Sequence, residues 1–158
     1  MRLAILDDYQ GLATSIVDWS QVKKLTVVSF RDHVFNEEEL INRLSHFDVV
    51  MRIRERSEFS RHVLENLPRL KLLLATGMRN SRSIDLAAAD ELNVIVCATD
   101  ALHQTTVEVT WMLLLSLFRG FGKEVGSVQN GSWQRGLGRG LGGKTLGVLG
   151  LGNMGKPV

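Results

Sequence analysis

Five short aliphatic runs recur along the first hundred residues, at positions 2–6, 25–30, 48–53, 71–75 and 93–98, and none alternates cleanly between apolar and polar side chains. A strand with one wet face would alternate, so an unbroken run predicts a strand covered on both faces, as in a parallel sheet. Between the runs the spacing becomes helical. Residues 37–46 set Leu40, Ile41 and Leu44 on one side behind Asn36, whose side chain suits a helix cap, with acidic residues in the first turn. Residues 60–67 bring Val63, Leu64 and Leu67 together before Pro68 ends the pattern, and residues 84–92 are rich in alanine. Strand, helix and strand in repeated succession predict an α/β fold on an open parallel sheet with right-handed crossovers.

At this strand count a flavodoxin-like order is expected, and sheets of this kind bind ligands beyond the carboxyl ends of their strands. Four segments fall there: Asp7-Asp8-Tyr9-Gln10, Arg54-Glu55-Arg56-Ser57, Thr76-Gly77-Met78-Arg79-Asn80 and Thr99-Asp100-Ala101-Leu102-His103. Arg54, Arg56 and Arg79, with free backbone N–H groups around Gly77, would suit a small anion such as a carboxylate. The alternative is that these arginines pair with Asp7, Asp8 and Glu55 as solvated surface charges. Asp7-Asp8 also has the look of a receiver domain's Mg²⁺ site, because a hard cation needs clustered carboxylates. That reading requires an aspartate ending the third strand and a lysine after the fifth. The sequence offers Met51, Arg52, Ile53 and Arg54 at the first place and no lysine between Lys71 and Lys123, so no metal site is expected.

Residues 105–119 are apolar on nearly every side, which predicts a helix buried all round and sandwiched between two bodies. Thr105 and Glu108 have the spacing of a capping box, and Gly120 is placed to stop the helix. Of the 15 glycines, 13 then fall between Gly120 and Gly155, a shift that marks a boundary or a long connection. Within it, Gly150, Gly152 and Gly155 form G-x-G-x-x-G directly after the apolar run at 145–149. This predicts a strand, a tight turn and a helix opening near Asn153 whose N-terminus would hold a dinucleotide pyrophosphate. A glycine-rich tail without a ligand is the alternative, since only Lys156, Pro157 and Val158 follow the last glycine.

Nineteen basic against seventeen acidic side chains give a formal charge of +2, too mild to argue for nucleic acid. The steps Arg135-Gly136 and Arg139-Gly140, with Trp133 as their sole aromatic, are too few for an RNA-binding tail. Small molecules or proteins are the expected partners. Cys97, the single cysteine, sits in an apolar run and reads as a small core residue; with no internal disulfide available, a reducing, cytoplasmic location is expected. The longest apolar run, 109–118, is broken by Thr110 and Ser116, and the N-terminus has no basic-then-apolar leader, so no membrane association is expected.

The succession ILDDYQ, IRERS, LPRLKLLLATGMRN, SIDLAAADELNVIVCAT, TTVEVTWMLLLSLFRG, GSWQ and GGKTLGVLGLGNMGKPV resembles the N-terminal part of the D-isomer-specific 2-hydroxyacid dehydrogenases over essentially all 158 residues. The resemblance implies two domains with the active cleft between them: an outer, flavodoxin-like substrate domain built from both chain ends, and an inner Rossmann domain for NAD or NADP. Residues 1–102 would be most of the substrate domain. Residues 103–158 would be the interdomain helix, a glycine-rich connection and the first strand of an incomplete cofactor domain.

Carried onto this sequence, the resemblance makes Arg54, Glu55, Arg56 and Ser57 one carboxylate-holding loop, with Gly77 and Met78 in a second. Gly150, Gly152, Asn153, Met154 and Gly155 would form the pyrophosphate turn. Gly77-Met78-Arg79-Asn80 departs from the commoner form, in which a second glycine follows closely, which implies a bulkier or differently charged pocket. The family's catalytic arginine, histidine and glutamate lie downstream of the glycine motif, so none is placed here, and His33, His46, His62 and His103 are not assigned that role. The implied reaction interconverts a 2-keto acid and a D-2-hydroxy acid with NAD(P)H. The chain itself is expected to be a truncated piece, inactive and without bound cofactor, and to form a homodimer that covers its apolar helix. The alternative from a different class is a complete, self-associating binding or assembly module with no enzymatic activity.

Overall fold

The computed structural model describes residues 1–77, 82–100 and 102–158. The aliphatic runs form β1 (Arg2–Leu6), β2 (Thr26–Ser29), β3 (Val49–Ile53), β4 (Leu72–Thr76) and β5 (Ile95–Ala98). All pair in parallel in the order β2-β1-β3-β4-β5, the flavodoxin-like order expected from the sequence. Leu3 sits opposite both Val27 and Val49, while Leu73 sits opposite Val50 and Val96. One-residue slips would exchange the two faces of every strand, so this register is fixed by burial.

The right-handed rule then places the connections. The chain steps one way from β1 to β2 and the other way in each later crossover, so the first connection lies on one face and the rest on the opposite face. Helices α1 (Glu37–Leu44), α2 (Arg61–Glu65) and α3 (Leu86–Glu91) occupy that second face. They bury Leu40, Ile41, Leu44, Val63, Leu64, Ala88 and Ala89 against Ala4, Leu6, Val50, Leu73, Ala75 and Val96. Each begins at a side-chain cap. Asn36 Oδ1 accepts from the N–H groups of Glu38 and Glu39 at 2.9 and 3.3 Å, Ser60 Oγ accepts from Val63, and Asp85 Oδ1 accepts from Ala88.

The first connection carries only a 3₁₀ turn, Trp19–Gln21, and packs Ala13, Trp19 and Leu25 over Leu3, Ile5 and Val49. It does not reach the far edge. Met51, Ile53, Leu72 and Leu74 are half-buried on that face, and Ile95 is 63% exposed. The unbroken aliphatic runs of β4 and β5 therefore do not mean strands covered on both faces. Cys97 shares this side of the edge strand and is exposed, which corrects its assignment to the core.

By contact the chain divides into two compact units, Met1–Ala101 and Leu102–Val158. In the second, α4 (Gln104–Arg119) ends at Gly120, whose φ of 66° is the left-handed stop expected of that glycine. A second helix, α5 (Phe121–Gln129), starts immediately. The glycine-rich composition of 120–155 predicts a boundary or connection here; α5 instead packs beside α4 despite Gly122 and Gly126. Three further expectations are corrected. The capping box is not formed: Thr105 Oγ donates to Leu102 O at 3.2 Å, and His103 caps α4 without a side-chain bond. Within α4 only Val107 is buried, while Val109, Met112, Leu113, Leu115 and Leu117 are exposed, so the helix is not covered all round. Residues 145–149 form no strand and 153–157 form turns rather than a helix. An isolated apolar run has no backbone partner with which to become a strand.

Among the described residues no helix is long and apolar enough to cross a membrane.

Truncating a side chain at the sheet centre should cost far more than at its edge. Leu73, with no exposed surface, should lose about 2–5 kcal/mol on Leu73→Ala, whereas Ile95→Ala should change stability by at most about 0.5 kcal/mol, both read from urea midpoints. The helices are also joined at their surface, where His62 Nε2 meets Glu38 Oε1 at 2.8 Å. That bond holds the His62 pKa above the ordinary value of 6.5. A pKa raised on folding stabilises fully below the unfolded value and loses that contribution as pH rises through the folded one. An NMR titration should find His62 titrating above the ordinary histidine range, and Glu38→Gln should bring it back.

Candidate functional site

Parallel strands aim all their carboxyl ends the same way, so the loops after β1, β3, β4 and β5 meet along one rim of the first unit. Asp7 and Asp8, the residues directly after β1, are buried, with 1% and 4% of their surface exposed. Neither pairs with Arg54 or Arg56, so the solvated ion pairs entertained from the sequence are not what these carboxylates do. Asp8 accepts from Ser29 Oγ at 2.7 Å and from the N–H groups of Leu12 and Ala13 at 3.0 and 3.2 Å. Burial pushes its carboxyl up, yet those hydrogen bonds, with Arg31 nearby, outweigh burial and leave it below the usual carboxylate range. Asp7 accepts from Ser57 Oγ at 2.8 Å and lies 2.7 Å from His33 Nδ1. Among the described residues no cluster of His, Cys, Asp or Glu is arranged to hold a metal.

The loop after β3 is fastened at both ends. Arg54 takes a left-handed φ of 66°, uncommon for a residue with a Cβ, and its N–H donates to Thr76 Oγ1 at 3.1 Å. The Thr76 hydroxyl in turn donates to Arg52 O at 3.2 Å. At the other end Ser57 is 3% exposed, held by Asp7 through its hydroxyl and by Arg52 Nη1 at its carbonyl, 3.4 Å away. Arg52 is itself buried, 1% exposed, and its Nη1 also bonds Ser83 Oγ. Burial lowers its pKa, with Glu55 acting in the opposite sense. Between the fastenings, Arg54, Glu55 and Arg56 face solvent, and Arg56 lies over the Tyr9 ring at 5.1 Å. The backbone N–H groups of Glu55, Arg56 and Ser57 find no acceptor among the described residues. Three neighbouring donors beside two arginines can take up an oxyanion.

Gly77, after β4, has φ 120°, and a Cβ there would come within 3.0 Å of Glu55 Oε1. Its N–H, expected from the sequence to be free, donates to Thr99 Oγ1 at 3.1 Å. Met78, Arg79 and Asn80 lie outside the described residues, as does Ala101. Sequence reasoning places Asp7 at the rim but misses its bonds to Ser57 and His33, and it misses Arg52 as part of this assembly. Arg52 did leave a signal, a charge inside an aliphatic run, but His33 lies 26 residues from Asp7 and no local pattern joins them.

In the second unit the glycine motif makes a turn of its own. Gly150 has φ 90°, a Cβ on Gly155 would collide with the Gly150 carbonyl, and a Cβ on Gly152 would meet nothing within 4 Å. The turn thus has one glycine for its bend, one for close packing and one facing open space. The strand and the helix N-terminus that would complete a dinucleotide site are not formed by 145–149 and 153–157, so these residues alone do not fit the whole group. Asn153 and Met154 belong to the turn segment, with Met154 40% exposed.

In open parallel sheets ligands bind beyond the carboxyl ends of the strands, and the polar loops of this sheet gather at that edge. A model of the catalytic domain of D-isomer specific 2-hydroxyacid dehydrogenases matches residues 5–139, and the chain belongs to that family. It is 35% identical over 125 residues to D-3-phosphoglycerate dehydrogenase of Methanocaldococcus jannaschii, across 77% of this chain and 24% of that one. Phosphoglycerate oxidoreductase of Vibrio cholerae superposes with a TM-score of 0.89 at 35% identity, covering 99% of this chain and 50% of the other. NAD-dependent formate dehydrogenase of Staphylococcus aureus, solved in complex with NAD, shares the fold at a TM-score of 0.67 and 24% identity, over 99% of this chain and 51% of that one. The chain spans about half the length of these solved relatives and about a quarter of the curated one.

The three glycines should respond differently to a methyl group. Gly155→Ala should shift the amide resonances of Gly150 and of Val148, whose Cγ1 would lie 3.2 Å from the new Cβ, whereas Gly152→Ala should leave both in place.

Proposed function

We propose that this chain supplies the substrate-side portion of an enzyme that interconverts a small 2-keto acid and a D-2-hydroxy acid with NAD or NADP. The observation that carries the proposal is the loop after β3, where the backbone donors of Glu55, Arg56 and Ser57 lie between two fastened ends beside Arg54 and Arg56. In this reading those donors take the substrate carboxylate, with Gly77 and Met78 closing the second side. Residues 1–102 form the substrate domain, and residues 103–158 belong to the cofactor side. Gly150, Gly152, Asn153, Met154 and Gly155 would face the pyrophosphate of the nicotinamide cofactor, which supplies or accepts hydride when bound. Hydride transfer needs a nicotinamide held against the keto carbon from both sides. The chain by itself is therefore proposed to bind a keto acid without turning it over. None of its histidines is assigned the proton-shuttling role, which the resemblance puts downstream of the glycine motif; His33 is engaged by Asp7 and His62 by Glu38.

A second reading is favoured by α4, where Met112, Leu113 and Leu117 are 56%, 55% and 81% exposed. An apolar stripe of that kind seeks cover, and a homodimer would provide it without any enzymatic role.

Calorimetric titration with glyoxylate and with D-3-phosphoglycerate, beside a fluorescence titration with NADH and NADPH, tests the primary reading. Expected is saturable binding of at least one acid, on the order of millimolar, abolished by Arg54→Ala with Arg56→Ala, and no saturable nicotinamide signal. If neither acid binds, the carboxylate reading falls. Saturable NADH binding would show that this chain assembles a cofactor cleft by itself and would overturn its proposed inactivity.

A further inference from the structure

We propose that Asp7 and His33 act as positioning residues for the carboxylate-holding loop, working through Ser57. The inference rests on the reading that residues 54–57 take the substrate's carboxylate, and it adds two side chains that touch no substrate. Asp7 is 1% exposed, and His33 Nδ1 lies 2.7 Å from its Oδ1. The remaining oxygen, Oδ2, accepts the Ser57 hydroxyl at 2.8 Å. One carboxylate therefore joins the segment after β2 to the loop after β3.

The backbone is bent to allow this. Asp7 has a left-handed φ of 61°, a conformation uncommon for a residue with a Cβ. Its neighbour Asp8 already ties the β1 loop to Ser29 and to the Leu12 and Ala13 N–H groups, so a second buried carboxylate is not needed for that loop. Buried charges are weak devices for stability, and their best-attested use is to fix one arrangement among several. Here the arrangement is the direction of the donors at Glu55, Arg56 and Ser57. Thr76 fixes the start of the loop through Arg54 N–H, and Ser57 fixes its end through Asp7 and Arg52. With its end loose, the same three donors remain but are no longer held in one arrangement.

The test uses the whole chain, ¹⁵N-labelled, with Ser57→Ala, Asp7→Asn, His33→Ala and His33→Asn. Two readouts are taken: amide shifts and exchange of residues 54–57 without ligand, and glyoxylate affinity. Ser57→Ala, the mildest change, removes one hydroxyl and should leave the amides of β3 and β4 in place. Loss of a hydrogen bond to a charged group should weaken glyoxylate binding by about tenfold in Ser57→Ala and His33→Ala, with the loop amides moved. His33→Asn returns an N–H donor near the Nδ1 position and should recover most of the affinity, which a merely space-filling role for His33 would not do. Unmoved loop amides in Ser57→Ala and Asp7→Asn would overturn the proposal. So would moved amides with unchanged affinity, or an Asn variant no better than the Ala one. If the unsubstituted chain binds no glyoxylate, the reading of the site fails, while the ligand-free amides still decide whether Asp7 and His33 set the loop.

Discussion

The parallel pairing of β1, β3 and β4 is the constraint on which everything else in the first unit depends. Because these strands run the same way, their carboxyl ends deliver Asp7, Arg54 and Gly77 to one edge although 70 positions separate the first from the last. Right-handed crossovers then send α1, α2 and α3 to one face, where Leu73, Val50 and Phe59 are wholly enclosed. The bonds from Asp7 to Ser57 and from Arg54 to Thr76 depend on that scaffold.

The rim itself is built from polar groups that answer one another. Thr76 and Thr99 each receive an N–H from the loop beside them, Asp8 gathers the turn after β1, and Arg52 reaches from inside β3 to Ser57 and Ser83. Such groups are costly to bury unless matched, and matched they leave little freedom. The loop after β3 inherits this. It is held at Arg54 and Ser57 and open between them, so its donors stay available without being disordered by solvent. In the proposed reading this backbone takes the geometry of an oxyanion, while Arg54 and Arg56 supply charge.

Strands and helices were legible because aliphatic runs and helical spacing are local. The cap at Asn36 and the stop at Gly120 followed from single residues, and both are formed. What escaped were particular long-range contacts. The contact between His33 and Asp7 depends on the β1–β2 pairing, and the exposure of Cys97 depends on β5 being an edge that the first connection does not reach. Residues 145–149 show the opposite failure. Their composition is that of a strand, but a strand is a pairing, and the described residues of the second unit offer no partner. Helix α5 was hidden by Gly122 and Gly126, whose weak propensity is overridden by packing beside α4.

The central claim is that the backbone of residues 54–57, rather than the glycine turn, is where this chain meets a small acid. The most direct measurement follows every amide of the ¹⁵N-labelled chain as glyoxylate is added. The account predicts that Glu55, Arg56 and Ser57 shift most and saturate together, with Gly77 next. Larger shifts at Gly150, Gly152 and Gly155, or along α4 and α5, would contradict it.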